Sequence, residues 1–368
     1  MIDSQHNLNT DTGATGHQER SSSGRVIEYE VVWFTSGQRR EYEQFIASFQ
    51  GKMYRPETFI GPNWWHPGNP LGGFLLFAYT PDEIASRCVL TGRRLAYEGK
   101  TIDCFEIGGT YTLEQHQRKG LFSRLVKQAM KLGFDTPAQV IYGTPNDRSG
   151  PGYQKLGYHF IDRSDSRFVL LTHSVHPLLR KLGLKKAPVR RVERPSKQAR
   201  FRHWTFTEVG LDEYVAATGE FPRMNWAGDG YLKRRLGTGG DVSHRRFFHA
   251  SSAGQQAWYA LNNYALSFLQ LILVSEFFLN GQIDRGPTKL RLLRKIASAY
   301  YRHHDGVYLK CRVDPEVGKL TRVLKYGAFV HRQLPICYFA NPRVSSSFID
   351  PLMQNLVEVF QLTDCDIG

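Results

Sequence analysis

Hydrophobic residues change their spacing repeatedly along the first half of the chain, and each change predicts an element. Val26 to Phe34 alternates loosely and is rich in strand-forming residues, which predicts a first strand. From Arg39 to Phe49, Tyr42, Phe45, Ile46 and Phe49 fall at helical spacing, so an amphipathic helix follows. Phe59 to Gly73 holds Asn63-Trp64-Trp65-His66 and Asn69-Pro70-Leu71-Gly72 and reads as an aromatic, turn-rich segment. Strands are predicted at Phe74 to Thr80, at Cys88 to Tyr97 and, after a turn at Glu98-Gly99-Lys100, at Thr101 to Thr112.

A helical pattern then runs from Leu121 to Leu132. Leu121, Phe122, Leu125, Val126, Met130 and Leu132 supply its apolar side, and Gly133 is its predicted stop. Val140 to Thr144 is a short strand, Ser149-Gly150-Pro151-Gly152 opens a brief helix from Tyr153 to Leu156 closed by Gly157, and Phe168 to Leu171 is a further strand. Strand, glycine turn, helix, strand and short helix in that order predict a mixed α/β unit. Val175 to Arg202 interrupts the pattern with basic residues and with Pro177, Pro188 and Pro195, as a connector does. Beyond it, Phe268 to Leu279, Leu290 to Tyr301, Val307 to Val313, Phe329 to Phe339 and Pro351 to Phe360 are candidate elements. The expected organisation is a polar, flexible extension at 1–24, a first domain at 25–175, a basic connector at 176–202 and a second domain at 203–368.

Composition fits this outline. A chain of 368 residues, 41% hydrophobic with 23 Phe, 18 Tyr and 6 Trp, can bury one large core or two moderate ones. The five cysteines, Cys88, Cys104, Cys311, Cys337 and Cys365, are widely spaced and form no Cys-x-x-Cys pair, so neither a zinc site nor a disulfide framework is expected. A reducing, cytoplasmic setting is the simpler reading. Met1 to Gly24 lacks a signal-peptide pattern. Tyr264 to Leu279 is the longest apolar stretch, but Ser267, Gln270, Ser275 and Glu276 interrupt it, short of the roughly 20 apolar residues a bilayer span needs.

A formal net charge of +14 is compatible with a solvated basic face, with steering of an anionic ligand, or with a polyanion. It is concentrated at Arg180-Lys181, Lys185-Lys186, Arg190-Arg191, Arg194, Lys197, Arg200 and Arg202. No zinc-finger, RNP or helix-turn-helix signature accompanies it, so no specific nucleic-acid partner is expected.

The junction after the strand ending at Thr112 carries the chemistry. Amide hydrogens in the first turn of a helix have no internal partners and sit at the positive end of the helix dipole. Gly120 lets the backbone approach a phosphate, and Arg118 and Lys119 add positive charge at the same edge. A lone glycine there serves a turn as readily as a phosphate. The segment lacks the Gly-Lys-Ser/Thr end of a P-loop and the extra glycines of a dinucleotide fingerprint.

Gln117-Arg118-Lys119-Gly120-Leu121-Phe122 resembles the acyl-CoA signature of the GNAT superfamily of N-acyltransferases, Gln/Arg-x-x-Gly-x-Gly/Ala, with Phe122 departing from the small final residue. A second stretch, Val140-Ile141-Tyr142-Gly143-Thr144-Pro145-Asn146 followed by Gly152-Tyr153-Gln154-Lys155-Leu156-Gly157-Tyr158, is similar to that family's next strand and its Tyr-x-Lys-Leu-Gly-Phe segment. The resemblance covers Val26 to Val175, and Trp64-Trp65 to Gly72 resembles the N-terminal region of two-unit members. It implies a mixed central sheet flanked by helices, duplicated, with a degenerate second half. In that half Glu276 to Asp284 with Arg285-Gly286-Pro287 echoes the phosphate-loop strand, and Lys325 to Phe329 echoes the Leu-Gly-Phe end. It further implies acetyl-CoA or another acyl-CoA as cofactor. Gln117, Arg118, Lys119, Gly120, Leu121 and Phe122 would hold the pyrophosphate, and Thr110, Tyr111 and Thr112 would run beside the pantetheine arm.

Acyl transfer to an amine requires a base, because an alkylammonium has a pKa near 10, and a donor for the departing thiolate. Glu106, on an otherwise apolar strand and where the family often places its base, is the first candidate; a structural role, paired with a buried arginine or exposed on the other face, is the competing reading. His116 is the rival base, or a solvent-facing loop residue. Tyr153 is the candidate general acid, as the resemblance implies, and Tyr158 reads as core. Asn146 either binds the pantetheine amides or caps a turn. No metal is expected. Trp64, Trp65, His66, Asn225-Trp226, Arg234-Arg235 and Asn262-Asn263-Tyr264 are candidate acceptor-pocket material.

The expected activity is acyl transfer from acyl-CoA to a small-molecule primary amine, anionic or sugar-linked, such as an amino sugar or polysaccharide precursor. The alternatives are an aminoacyl or peptidyl transferase of the same fold and a catalytically inactive basic scaffold.

Overall fold

The computed structural model describes residues 19–20, 26–49, 69, 71–97, 100–161, 167–172, 198–201, 203–219, 221, 245–266, 269–283, 288, 292, 307–313, 329–331 and 336–359. Trp64, Trp65, His66, Asn225, Trp226, Arg234 and Arg235 lie outside these, as do most of 290–301 and of the basic segment 176–202.

In chain order the elements begin with a small ribbon, β1 (Glu19–Arg20) with β2 (Val26–Ile27), then β3 (Glu30–Thr35), α1 (Arg39–Ala47), β4 (Gly73–Tyr79), β5 (Ile84–Tyr97) and β6 (Lys100–Thr112). A 3-10 turn at Glu114–His116 leads to α2 (Leu121–Phe134), β7 (Val140–Gly143), α3 (Gly150–Lys155), β8 (His159–Phe160) and β9 (Arg167–Thr172). The second half holds β10 (Gln198–Phe201), β11 (Trp204–Val209), α4 (Leu211–Thr218), β12 (Arg245–Ser252), β13 (Gln255–Leu266), β14 (Leu269–Leu279), β15 (Gln282–Ile283), β16 (Val307–Val313), β17 (Phe329–His331), β18 (Cys337–Ala340) and α5 (Ser346–Val359). None of the described helices is long and apolar enough to cross a membrane.

Two large sheets result. The first has seven strands in the order β3-β4-β5-β6-β7-β18-β8, and the second has nine, β10-β11-β12-β13-β14-β16-β9-β17 with β15 on β14. Each contains four successive antiparallel strands, β3 to β6 and β11 to β14, followed by a parallel step, β6 to β7 and β14 to β16. A helix lies between the first two strands of each set, α1 and α4. The order of elements therefore repeats along the chain.

The sheets also exchange strands. β18, from the C-terminal end, pairs with β7 and β8 and so belongs to the first sheet. β9, from the first half, pairs with β16 and β17 in the second. The apolar run Phe329 to Phe339, expected as one element, is thus two strands in two different sheets. Within the expected connector, Gln198–Phe201 is a strand paired with β11.

α2 lies on one face of the first sheet, where Leu121, Leu125, Val126 and Ala129 pack with Phe105, Ile107, Leu90 and Ile141. The other face carries α5, whose Ile349, Leu352 and Met353 bury Ile102, Cys104, Val140 and Tyr142. α1 places Tyr42 and Phe45 against Phe34 and Phe77. Gly133, predicted as the stop of α2, is inside it. A Cβ there would stand 2.9 Å from Ile141 Cδ1, so this glycine serves the close approach of helix to sheet. Cys88, Cys104 and Cys337 are free and buried.

Candidate active site

The parallel ladder between β6 and β7 covers four residue pairs and ends at Ile107 opposite Gly143. β6 continues to Thr112 without β7 beside it, so the sheet opens after Gly143. The strands approach closely just before they part, since a Cβ on Gly143 would lie 2.9 Å from the Ile107 carbonyl oxygen. On its other edge β6 carries a bulge: Val89 pairs with Gly108 and Arg87 with Tyr111, leaving Gly109 and Thr110 opposite Cys88. Gly109 has φ 55°, which a glycine adopts without strain. Bulges re-aim backbone and side chains where a ladder ends. Ser86 Oγ donates to the Tyr111 carbonyl at 2.9 Å and lies 2.8 Å from Thr112 Oγ1, tying the strand end to β5.

The turn between β6 and α2 contains two left-handed residues, Arg118 at φ 63° and Gly120 at φ 70°. The amide hydrogens of Arg118, Lys119, Gly120, Leu121, Phe122 and Ser123 have no acceptor among the described residues; the ladder resumes with Arg124 N donating to the Gly120 carbonyl at 3.0 Å. α2 has no side-chain N-cap. A Cβ on Gly108 or on Gly120 would meet nothing within 4 Å, so the space over both is open. Orphaned amides at the positive end of a helix, with Arg118 and Lys119 at the edge, fit a diphosphate. Gln117 lies at the start of the turn, its Nε2 3.4 Å from the Thr112 carbonyl.

Phe122 is turned toward α3. Its ring meets Tyr153 edge-on at 5.1 Å between centroids and lies against Gly152. Tyr153, held by α3, is buried in the cluster containing Phe105, Ile107, Cys88 and Cys337. Burial, with Cys88 and Cys337 nearby, raises its pKa well above the usual phenol value, and a side-chain hydrogen bond with Thr110 of the bulge opposes the shift. The buried phenol therefore keeps its proton. Tyr158 is buried beside it, as its reading as core requires, at 4.9 Å between rings.

Glu106 is 3% exposed and Arg93 2%. Arg93 Nη2 and Nε both donate to Glu106 Oε2, at 2.7 and 3.0 Å. Strand alternation puts Glu106 on the face of Cys104 and Tyr142, opposite the face of Phe105, Ile107 and Tyr153. Asp103 is paired with Arg94 at 2.8 Å.

His116 is no solvent-facing loop residue. It is buried, with Nε2 2.8 Å from Glu83 Oε1 and Nδ1 2.8 Å from the Tyr29 hydroxyl. Asn146 caps a turn: its Oδ1 accepts from Arg148 N at 2.9 Å and Ser149 N at 3.0 Å. In the second half, Asn262 accepts from Arg245 Nε at 2.7 Å on β13.

The structure thus brings together the turn 117–122, Thr110 and Tyr153, sets Glu106 on the far face, and keeps His116 beneath the turn. Sequence reasoning missed Arg93, Glu83, Tyr29 and the bulge at Gly109. The hairpin of β5 and β6 offered a signal for the first: Tyr97 opposite Lys100 puts Arg93 opposite Cys104, diagonal to Glu106.

Residues 36–161 match the family model of the acetyltransferase (GNAT) domain. The GCN5-related N-acetyltransferase from Anabaena variabilis ATCC 29413 is similar over 84% of this chain and 72% of its own, at a TM-score of 0.51 and 10% identity. Eis1 from Mycobacterium abscessus is similar over 84% of this chain and 72% of its own, at a TM-score of 0.44 and 14% identity. A tandem GNAT protein from the clavulanic acid biosynthesis pathway is similar over 86% of this chain and 100% of its own, at a TM-score of 0.49 and 13% identity. At 10% identity the likeness to the Anabaena protein is one of fold alone. No curated protein matches the sequence.

Proposed function

For a chain that carries a GNAT acetyltransferase domain over residues 36–161, we propose transfer of an acetyl or similar acyl group from acyl-CoA to a primary amine. The observation that carries this reading is the row of acceptor-free amides from Arg118 to Ser123, beside the place where β6 and β7 part. Acyl-CoA is the cofactor, and it supplies an activated thioester. The turn 117–122 holds its pyrophosphate, and Thr110 to Thr112 line the pantetheine arm.

Tyr153, kept protonated by burial, donates to the departing thiolate. Glu106, on the opposite face, is the carboxylate toward which the acceptor amine is drawn and through which it loses its proton; Arg93 fixes its orientation. His116, engaged at both ring nitrogens, is left out of proton transfer in this reading. Asn146 serves its turn. The repeated order of strands supports a duplicated chain whose second unit shapes the acceptor side. A net charge of +14 favours an anionic amine, and the resemblance to two-unit members suggests an amino sugar or polysaccharide precursor as the narrower choice. The isolated cysteines favour a cytoplasmic setting.

Calorimetric titration with acetyl-CoA tests the proposal. Gly120→Val forces a β-branched residue to φ 70° and places methyl groups in the open space over the turn. Saturable binding lost in this variant supports the reading; a protein that binds no acyl-CoA at all refutes it and leaves the scaffold alternative.

A further inference from the structure

The sequence offered His116 as a base, yet its surroundings describe another task. It closes the 3-10 turn Glu114–His116, immediately before the turn with the free amides. That turn holds Arg118, a non-glycine residue, at φ 63°. Such a conformation costs about 1–3 kcal/mol and persists only where the surroundings over-determine it.

The surroundings that do so converge on His116. A carboxylate can only accept, so Nε2 carries its hydrogen and donates to Glu83 at 2.8 Å. Nδ1 lies 2.8 Å from the Tyr29 hydroxyl and accepts from it when the ring is neutral. Glu83 also accepts from Gln115 Nε2 at 3.0 Å, and its own carbonyl accepts from Thr80 N at 2.9 Å, so it is fixed in the turn between β4 and β5. Tyr29 reaches further along the same segment. Lys119 Nζ stands 5.8 Å from its ring centroid, and its carbonyl accepts from Arg124 Nη1 of α2 at 2.9 Å. Two residues distant in sequence therefore hold the segment before, within and after the free amides, with one imidazole bridging them.

We propose that His116 is a positioning residue that fixes the diphosphate-holding turn, through the hydrogen-bonded chain Glu83–His116–Tyr29, in the shape that receives coenzyme A. The inference rests on the reading of that turn given above. A merely space-filling side chain would be replaceable by any residue of similar size; a bridging one requires a donor at one end and an acceptor at the other.

Coenzyme A titrated calorimetrically into the full chain separates these cases. His116→Leu, which fills space without either bond, binds coenzyme A about tenfold more weakly, the effect of losing two hydrogen bonds together worth about 1.4 kcal/mol. His116→Gln, whose amide can donate to Glu83 and accept from Tyr29, recovers most of the affinity. Should His116→Leu fail to fold, Tyr29→Phe decides the matter, because it keeps the ring beneath Lys119 and deletes only the hydroxyl; an affinity equal to that of the unaltered protein overturns the proposal. So does His116→Leu binding as tightly as the unaltered chain, or His116→Gln no better than leucine. Absence of coenzyme A binding by the unaltered protein would instead strike the reading of the turn itself.

Discussion

The ring of Phe122 lies across Gly152, where a Cβ would stand only 2.5 Å from Phe122 Cε1. The same ring braces Tyr153. The residue that departs from the small end of the acyl-CoA signature is thereby turned away from the free amides and toward the candidate acid. Gly152→Ala should cost about 1–3 kcal/mol by overpacking. Combined with Phe122→Ala the two losses should fall short of their sum, measurable in denaturant unfolding as a coupling between neighbours.

Tyr153→Phe removes the proton donor and preserves the packing of Phe122 and Tyr158. Turnover at saturating acetyl-CoA should fall about 100-fold or more, with cofactor affinity changed little. A turnover equal to that of the unaltered enzyme would assign the phenol to the core alone.

Glu106→Gln should lower turnover without abolishing cofactor binding. It should also destabilise the fold by up to about 3–5 kcal/mol, because the buried Arg93 guanidinium loses the opposite charge of Glu106. Replacing both, Arg93→Met with Glu106→Leu, should recover stability but not turnover. Chemical unfolding and steady-state rates on the same variants separate the structural from the catalytic contribution.

Burial pushes the thiols of Cys88 and Cys337 up to about 12. The folded state therefore favours the protonated thiol, and the unfolded chain releases that proton first. Stability from this source is complete below the unfolded thiol's pKa of about 8.5 and is lost as pH rises through the folded value. Denaturation midpoints should decline above that point, and Cys88→Ala should shallow the decline.

The first sheet is completed by residues from the far end of the chain. A fragment spanning 25–175 would lack β18 along β7 and the cover that α5 gives Ile102, Cys104 and Val140. It should not fold cooperatively in thermal or denaturant scans, and supplying residues 336–359 on a linker should restore a transition.

The sequence by itself determined the local elements and their order in the first half. Period and punctuation reside in neighbouring residues, so α1, α2 and the strands from β3 to β7 were legible within a few positions. The turn at 117–122 was legible for the same reason, since its shape comes from backbone conformation at the head of one helix. Tertiary structure decided what depends on residues distant in sequence. Phe329 to Phe339 reads as one apolar run, yet its two ends pair with β9 and β7 in different sheets, because pairing partners are chosen by the whole fold. Glu106 was the first candidate base and His116 its rival. Only packing showed one sealed against Arg93 and the other bridging Glu83 and Tyr29, since hydrogen-bond partners are fixed by burial and geometry, not by the chain's own order.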